Sequence, residues 1–125
     1  MTDDVTRRPW WRWMAGMADL DGVRVCGTDG PWAMVTSGQH GADVYMVLAS
    51  TLRPDSTDPA TLGCLLALAR ELWVDCWLWL DVDTLGIMRR VRVWRGTGYP
   101  VGTVATGDTE WSALVAACDA AWGRR

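Results

Sequence analysis

The sequence predicts an α+β domain, an antiparallel sheet packed by about three helices in the order α-βββ-α-βββ-α. Three observations carry this reading. Apolar residues recur at the helical spacing i, i+3, i+4, i+7 in separate stretches of the chain. Between those stretches apolar and polar residues alternate with period two, as half-buried strands do. Turn residues (Gly, Pro, Asp) separate the alternating runs. With 125 residues, half of them apolar, the chain has the length and composition of one domain spanning 1–125, able to bury roughly two-thirds of its unfolded surface without staples.

The elements follow in order. Residues 1–8 are polar and expected to be disordered. Pro9 then opens a stretch in which Trp10, Trp13, Met14 and Met17 fall on one helical face, and Asp21-Gly22 would end that helix. Strands are expected at 23–26, 32–36 and 42–49, joined by turns at 28–31 and 37–41, the second containing His40. Asp58 before Pro59 pairs an N-cap with proline at the first helical position. Leu62, Leu65, Leu66 and Ala69 then form an apolar stripe, broadened by Leu68 and Leu72. A hairpin of arms 76–82 and 87–95 comes next, both alternating with period two, and a shorter strand near 101–105 follows a Gly96–Gly98 turn. The last helix is expected to start near Thr109. Its alanines at 113, 116, 117 and 120 allow close packing, and Gly123 with Arg124 and Arg125 ends it, cations lying at the negative end of the dipole. The two halves share an outline but no residue pattern.

Every basic residue is Arg, Lys, Phe and Asn are absent, and Ile87 is the lone isoleucine. Those omissions are residues with A/T-rich codons, so a GC-rich bacterial or viral genome is expected. Without Phe, most aromatic volume falls to ten Trp, whose indole N–H needs a partner when buried. A net charge of −3 gives no general attraction to nucleic acid or an acidic membrane, so such binding would need a local Arg cluster. No apolar run reaches the roughly 20 residues of a membrane span. The first residues lack the apolar core of a secretory signal, so the expected location is cytoplasmic. Cys26, Cys64, Cys76 and Cys118 are widely spaced and are expected to be free, largely buried thiols.

No catalytic residue, metal ligand set or cofactor is assigned. His40 is the single histidine and sits in a turn, so neither a nucleophile–base pair nor a zinc site has its parts. Asp81 and Asp83 share a strand face at i, i+2 but lie where the strand runs into a turn, a common place for solvated carboxylates. Arg95 to Gly98 is glycine-rich, yet it leads into a strand rather than the helix a phosphate loop requires.

The feature that stands out is the hairpin. A four-residue loop at 83–86 would set Trp79 opposite Arg90, Trp77 opposite Arg92 and Leu78 opposite Val91. Leu78, Leu80, Val82, Val91 and Val93 would then make one apolar face, and Trp77, Trp79, Arg90, Arg92 and Trp94 the other. These five are the candidate binding residues: Arg over indole gives cation–π pairs, and such a surface can stack a base or anchor a protein interface. The competing reading is that Trp–Arg pairs stabilise the hairpin without a ligand. The Arg- and Trp-rich segment 7–13 invites a similar thought about membranes or nucleic acid, but its Trp residues at helical spacing are read as core.

Ser56-Thr57-Asp58-Pro59 opening a Leu-rich helix, the Trp-rich hairpin, and Thr109-Glu110-Trp111-Ser112-Ala113-Leu114 opening the last helix together resemble the small phage proteins of the α-β-α sandwich domain family. The similarity covers about residues 54–122 and leaves the N-terminal strands unmatched. It implies a phage or prophage source and a sheet packed by helices, with no activity and no functional residue attached. The expected function is therefore that of a non-enzymatic accessory protein in the host bacterial cytoplasm. It would bind a host component, either a defence-system protein or its nucleotide signal. The alternatives are a small enzyme using dispersed carboxylates such as Glu71, Asp81 and Asp83, and a homo-oligomeric virion or packaging factor.

Overall fold

A computed structural model describes residues 4–37, 43–85, 87–96 and 102–124. His40 and its turn, Gly86, Gly98 and Val101 lie outside the described residues. The chain is α+β: three strands, β1 (Arg24–Asp29), β2 (Trp32–Ser37) and β3 (Asp43–Leu48), then α1 (Pro59–Trp73). Three more strands follow, β4 (Trp79–Leu85), β5 (Met88–Trp94) and β6 (Thr103–Gly107), then α2 (Glu110–Gly123). Each set of three is its own antiparallel sheet, in the orders β1-β2-β3 and β4-β5-β6. Two α-helices are described rather than about three, and the order is βββ-α-βββ-α. The chain divides into two compact units, Met1–Cys64 and Leu65–Arg125, the division falling within α1.

In the first unit, the expected helix over 9–20 is not formed. Val5–Arg7 make one 3-10 turn capped by Asp4, and the chain then runs irregularly to β1. The apolar spacing still reports burial: Trp10, Trp13 and Met17 are all buried. Its backbone bonds go elsewhere. Gly16 N–H donates to the Val25 carbonyl at 2.8 Å, and Val25 N–H donates to that of Met17 at 2.8 Å. Gly16 has φ +102°, a conformation open to glycine and incompatible with a helix. Pairing with the first strand therefore overrides a periodicity that three bulky Trp and a Gly support only weakly. The core is built from Trp13, Met17, Val25, Ala33, Val35 and Leu52, with Trp11, Met14, Val23, Val47, Ala49 and Cys64 packed around it.

One polar network ties this unit together. Asp58 caps α1, its Oδ2 accepting from Thr61 N–H and from the Thr61 hydroxyl, both at 2.9 Å. The fully buried Thr61 hydroxyl oxygen accepts from Ala18 N–H at 2.8 Å. Arg24 reaches Asp58 with both terminal nitrogens, at 3.1 and 3.2 Å, and donates to the Gly16 carbonyl at 2.6 Å. Buried Asp19 accepts from Arg53 N–H at 2.6 Å. One helix start thus holds the irregular segment and β1 in place.

In the second unit, α2 lies against β5 and β6 and buries Ala113, Leu114, Ala117, Cys118 and Ala121. Thr109 caps it in a reciprocal capping box with Ser112. Trp73, at the end of α1, donates its indole N–H to the Ala117 carbonyl at 2.9 Å. The cations of Arg124 and Arg95 lie 4.6 and 5.8 Å from the Trp73 ring centre. Helix α1 ends in a Schellman motif: Val74 N–H donates to Glu71 and Asp75 N–H to Arg70. The residue in the left-handed position is Val74, at φ +53°. Buried Asp75 then shapes the approach to β4, accepting from Trp77 N–H at 3.0 Å and Gly96 N–H at 2.9 Å. A Cβ on Gly96 would run into the Trp77 carbonyl, so glycine is required there.

Candidate functional site

The hairpin forms, but in a different register. Leu85 pairs with Met88, so the loop is two residues rather than four. Trp79 lies opposite Trp94, Asp81 opposite Arg92 and Asp83 opposite Arg90, with Leu80 opposite Val93 and Val82 opposite Val91. The expected pairs Trp79–Arg90, Trp77–Arg92 and Leu78–Val91 are not made. Trp77 falls in the turn before β4 rather than in the strand. The slip is an even number of residues, so each side chain keeps its face, because strand faces alternate with period two.

On the apolar face, Leu78, Val91 and Val93 are fully buried. Val82, on edge strand β4 away from the α2 contact with β5 and β6, is exposed. The opposite face carries Trp79, Asp81 and Asp83 on β4 and Arg90, Arg92 and Trp94 on β5. Trp79 and Trp94 stack nearly parallel, centroids 5.7 Å apart at 12°. The Arg92 guanidinium carbon is 4.9 Å from the Trp94 ring centre. Arg92 also binds Asp81 through two nitrogens, at 3.1 and 2.8 Å, and approaches Asp83 at 3.8 Å. The Trp94 indole N–H donates to Asp81 at 2.9 Å. Arg92, and after it the Trp94 N–H, holds the Asp81 carboxyl below its ordinary range.

These contacts sort the five candidates. Arg92 and Trp94 are committed to a bracket with Asp81 and Trp79. That bracket is the intramolecular role weighed against recognition, and the sequence reading left Asp81 out of it. Still open to solvent are Trp77, 68% exposed, Trp79, 45% exposed, and Arg90, which makes no side-chain hydrogen bond or ion pair among the described residues. Beyond Arg90 the face ends in a recess of about 350 Å³ lined by Asp83, Met88, Arg89, Arg90, Thr106, Gly107 and Asp108.

Among the described residues no group of three or more His, Cys, Asp or Glu is placed to hold a metal ion, and no helix is long and apolar enough to cross a membrane. All four cysteines are free. Only Cys118 is buried and Cys64 partly so; Cys26 and Cys76 are exposed, against the expectation of largely buried thiols. Cys26 sits at the register shift where β1 bulges between Val25 and Gly27, and Cys76 in the turn after Asp75. No family model matches the chain, nor does any curated protein or solved structure.

Proposed function

We propose that this chain is a non-enzymatic recognition protein, a phage or prophage accessory factor of the α-β-α sandwich type. It would bind a component of a host bacterial cell, such as a defence-system protein, through the Trp/Arg face of the second sheet. The observation that carries this reading is an aromatic–cationic surface held in place by its own side-chain contacts. Trp94, Arg92 and Asp81 are locked together, while Trp79, Trp77 and Arg90 remain available beside them. Rigid Trp and Arg side chains lose little freedom on association and dominate interface energetics. A protein partner fits better than a nucleotide signal. Trp79 and Trp94 close on each other, so no slot for a base lies between them, and Asp81 and Asp83 bring negative charge to the same face. The dispersed-carboxylate alternative loses its best pair, because Arg92 occupies Asp81 and approaches Asp83.

The test is a host strain whose defence system restricts phage growth, expressing the chain or its Trp77→Ala/Arg90→Glu variant. Both side chains are exposed, so the melting midpoint should be unchanged. The wild type should relieve restriction and the variant should not. A variant with full effect and unchanged stability would refute recognition by this face. Fluorescence titration with cyclic and linear oligonucleotides separates the nucleotide reading, which requires saturable binding that the variant loses.

A further inference from the structure

The first sheet has two unlike edges. β1 is protected: it carries Arg24 and Asp29, is interrupted by a bulge, and is bridged at Arg24 by Ala18. These are devices that keep natural edges from pairing. Among the described residues β3 has neither bulge nor bridge, and its single charge, Asp43, lies at its first residue. It pairs with β2 alone among the described strands and carries no charge, proline or glycine from Val44 to Leu48. Its side chains are exposed on both faces of the sheet, Tyr45 on one, Val44, Met46 and Leu48 on the other. Cross-strand pairing sets Leu48 beside Trp32 and Met46 beside Met34 on the face away from the core. Those four and Val44 are each 40–59% exposed and form one patch. Such a patch exposes on the order of 500 Å² of apolar side chain, near the top of what a monomer surface carries.

We infer that β3 pairs with β3 of a second copy of this chain, antiparallel about a two-fold axis at Met46, joining two three-stranded sheets into one of six strands. The strand is complementary to itself in this register. Met46 meets Met46, Val44 meets Leu48, and Tyr45 meets Val47, so every facing pair is apolar. Asp43 comes opposite Ala49, which keeps the two acids apart. Side chains keep their faces, so the Trp32–Met34 patches of the two copies become continuous. The exposed patch supplies about half of what one partner of a standard interface buries, with the strand backbone, Tyr45 and Val47 adding to it. The contact is isologous and closed, and it consumes the one unprotected edge of this sheet.

Sedimentation velocity on the full chain, from low to high micromolar concentration, tests this. The expected result is a reversible monomer–dimer equilibrium. Met46→Lys puts two cations together on the axis and should leave only monomer, with a melt equal to that of the wild type at concentrations where the wild type is itself monomeric, because Met46 is half exposed. Val44→Lys, opposite Leu48, should weaken the dimer at least tenfold and stands in if Met46→Lys does not fold. Thr28→Lys on the protected edge should leave it intact. A monomer at every concentration, a dimer that survives both β3 substitutions, or open-ended growth in place of a dimer would each overturn the inference. The Trp77→Ala/Arg90→Glu variant should dimerise normally, so this test is independent of the recognition face.

Discussion

Replacing Asp58 probes the junction on which the first unit depends. Its carboxylate does two jobs, accepting from Thr61 as the N-cap of α1 and holding Arg24 through two hydrogen bonds. Loss of an N-cap costs about 1 kcal/mol. The Arg24 pair, with side chains 46% and 15% exposed, adds about 0.5–1 kcal/mol once solvent screening is counted. Asp58→Ala should therefore lose about 1.5–2 kcal/mol, roughly 5–8 °C in melting midpoint for a chain of this size. Asp58→Asn keeps an acceptor for the Thr61 N–H and should lose only the ionic part, about 0.5–1 kcal/mol. The charge dependence has a definite sign. Arg24 first, and then Thr61, lower the Asp58 pKa from the ordinary 3.8 to about 2. A depressed carboxyl stabilises the fold above its unfolded pKa and loses that contribution as pH falls through the folded value. The gap between wild type and Asp58→Asn should accordingly be full at neutral pH and close between about pH 4 and pH 2. Urea denaturation followed by circular dichroism across that range measures it. Equal midpoints for wild type and Asp58→Ala, or a gap that does not change with pH, would rule out this double role for Asp58.

Two further predictions rest on single residues. Val74 is 89% exposed and holds the left-handed position of the Schellman motif, so Val74→Gly removes a strained β-branched residue without removing packing. The strain relieved exceeds the added unfolded-state entropy, and a gain of about 0.5–1 kcal/mol should appear as a raised urea midpoint; a lowered midpoint would mean the motif is not formed. The four thiols should react with an aromatic disulfide reagent in the order of their exposure: Cys26 and Cys76 at once, Cys64 slowly, and Cys118 only in denaturant. Burial, and then the neighbouring Asp119, push the Cys118 thiol up to about 12, and equal rates for all four would contradict the placement.

The sequence carried local signals well and long-range ones poorly. The start of α1 at Asp58-Pro59 and of α2 near Thr109 is chemistry within four residues: the Asp58 cap forms as read, and α2 starts where expected, on a Thr109–Ser112 capping box that the start alone did not name. The six strands lie within a few residues of the alternating runs, because period two is also local. The N-terminal segment shows the opposite case. Trp10, Trp13, Met14 and Met17 follow a helical spacing because they are needed in or beside buried positions, and several backbone routes satisfy that need. The route taken depends on Val25 and Thr61, distant partners that no window over 9–20 contains. The exposed β3 edge was equally hard to foresee. A run such as Val44–Leu48 reads as a buried strand unless its position at the margin of the sheet is known.

The candidate site was legible as a face and not as a set of pairs. Alternation fixes which residues of 77–82 and 87–95 point the same way, and any even slip preserves that division. Pairing depends instead on loop length, and Gly86-Ile87 supports a two-residue turn as readily as 83–86 supports a four-residue one. The change has a chemical consequence. In the expected register Arg92 faced Trp77, and both remained free for a partner. In the observed register Arg92 faces Asp81, its charge is neutralised within the sheet, and the indole beside it gains an acceptor for its N–H. What the face can offer a partner therefore moves to its ends, to Trp77 and Trp79 at one and Arg90 with its recess at the other. For this reason the double substitution that discriminates is Trp77→Ala with Arg90→Glu. A substitution at Arg92 would break the Asp81 bracket and confound lost recognition with lost order.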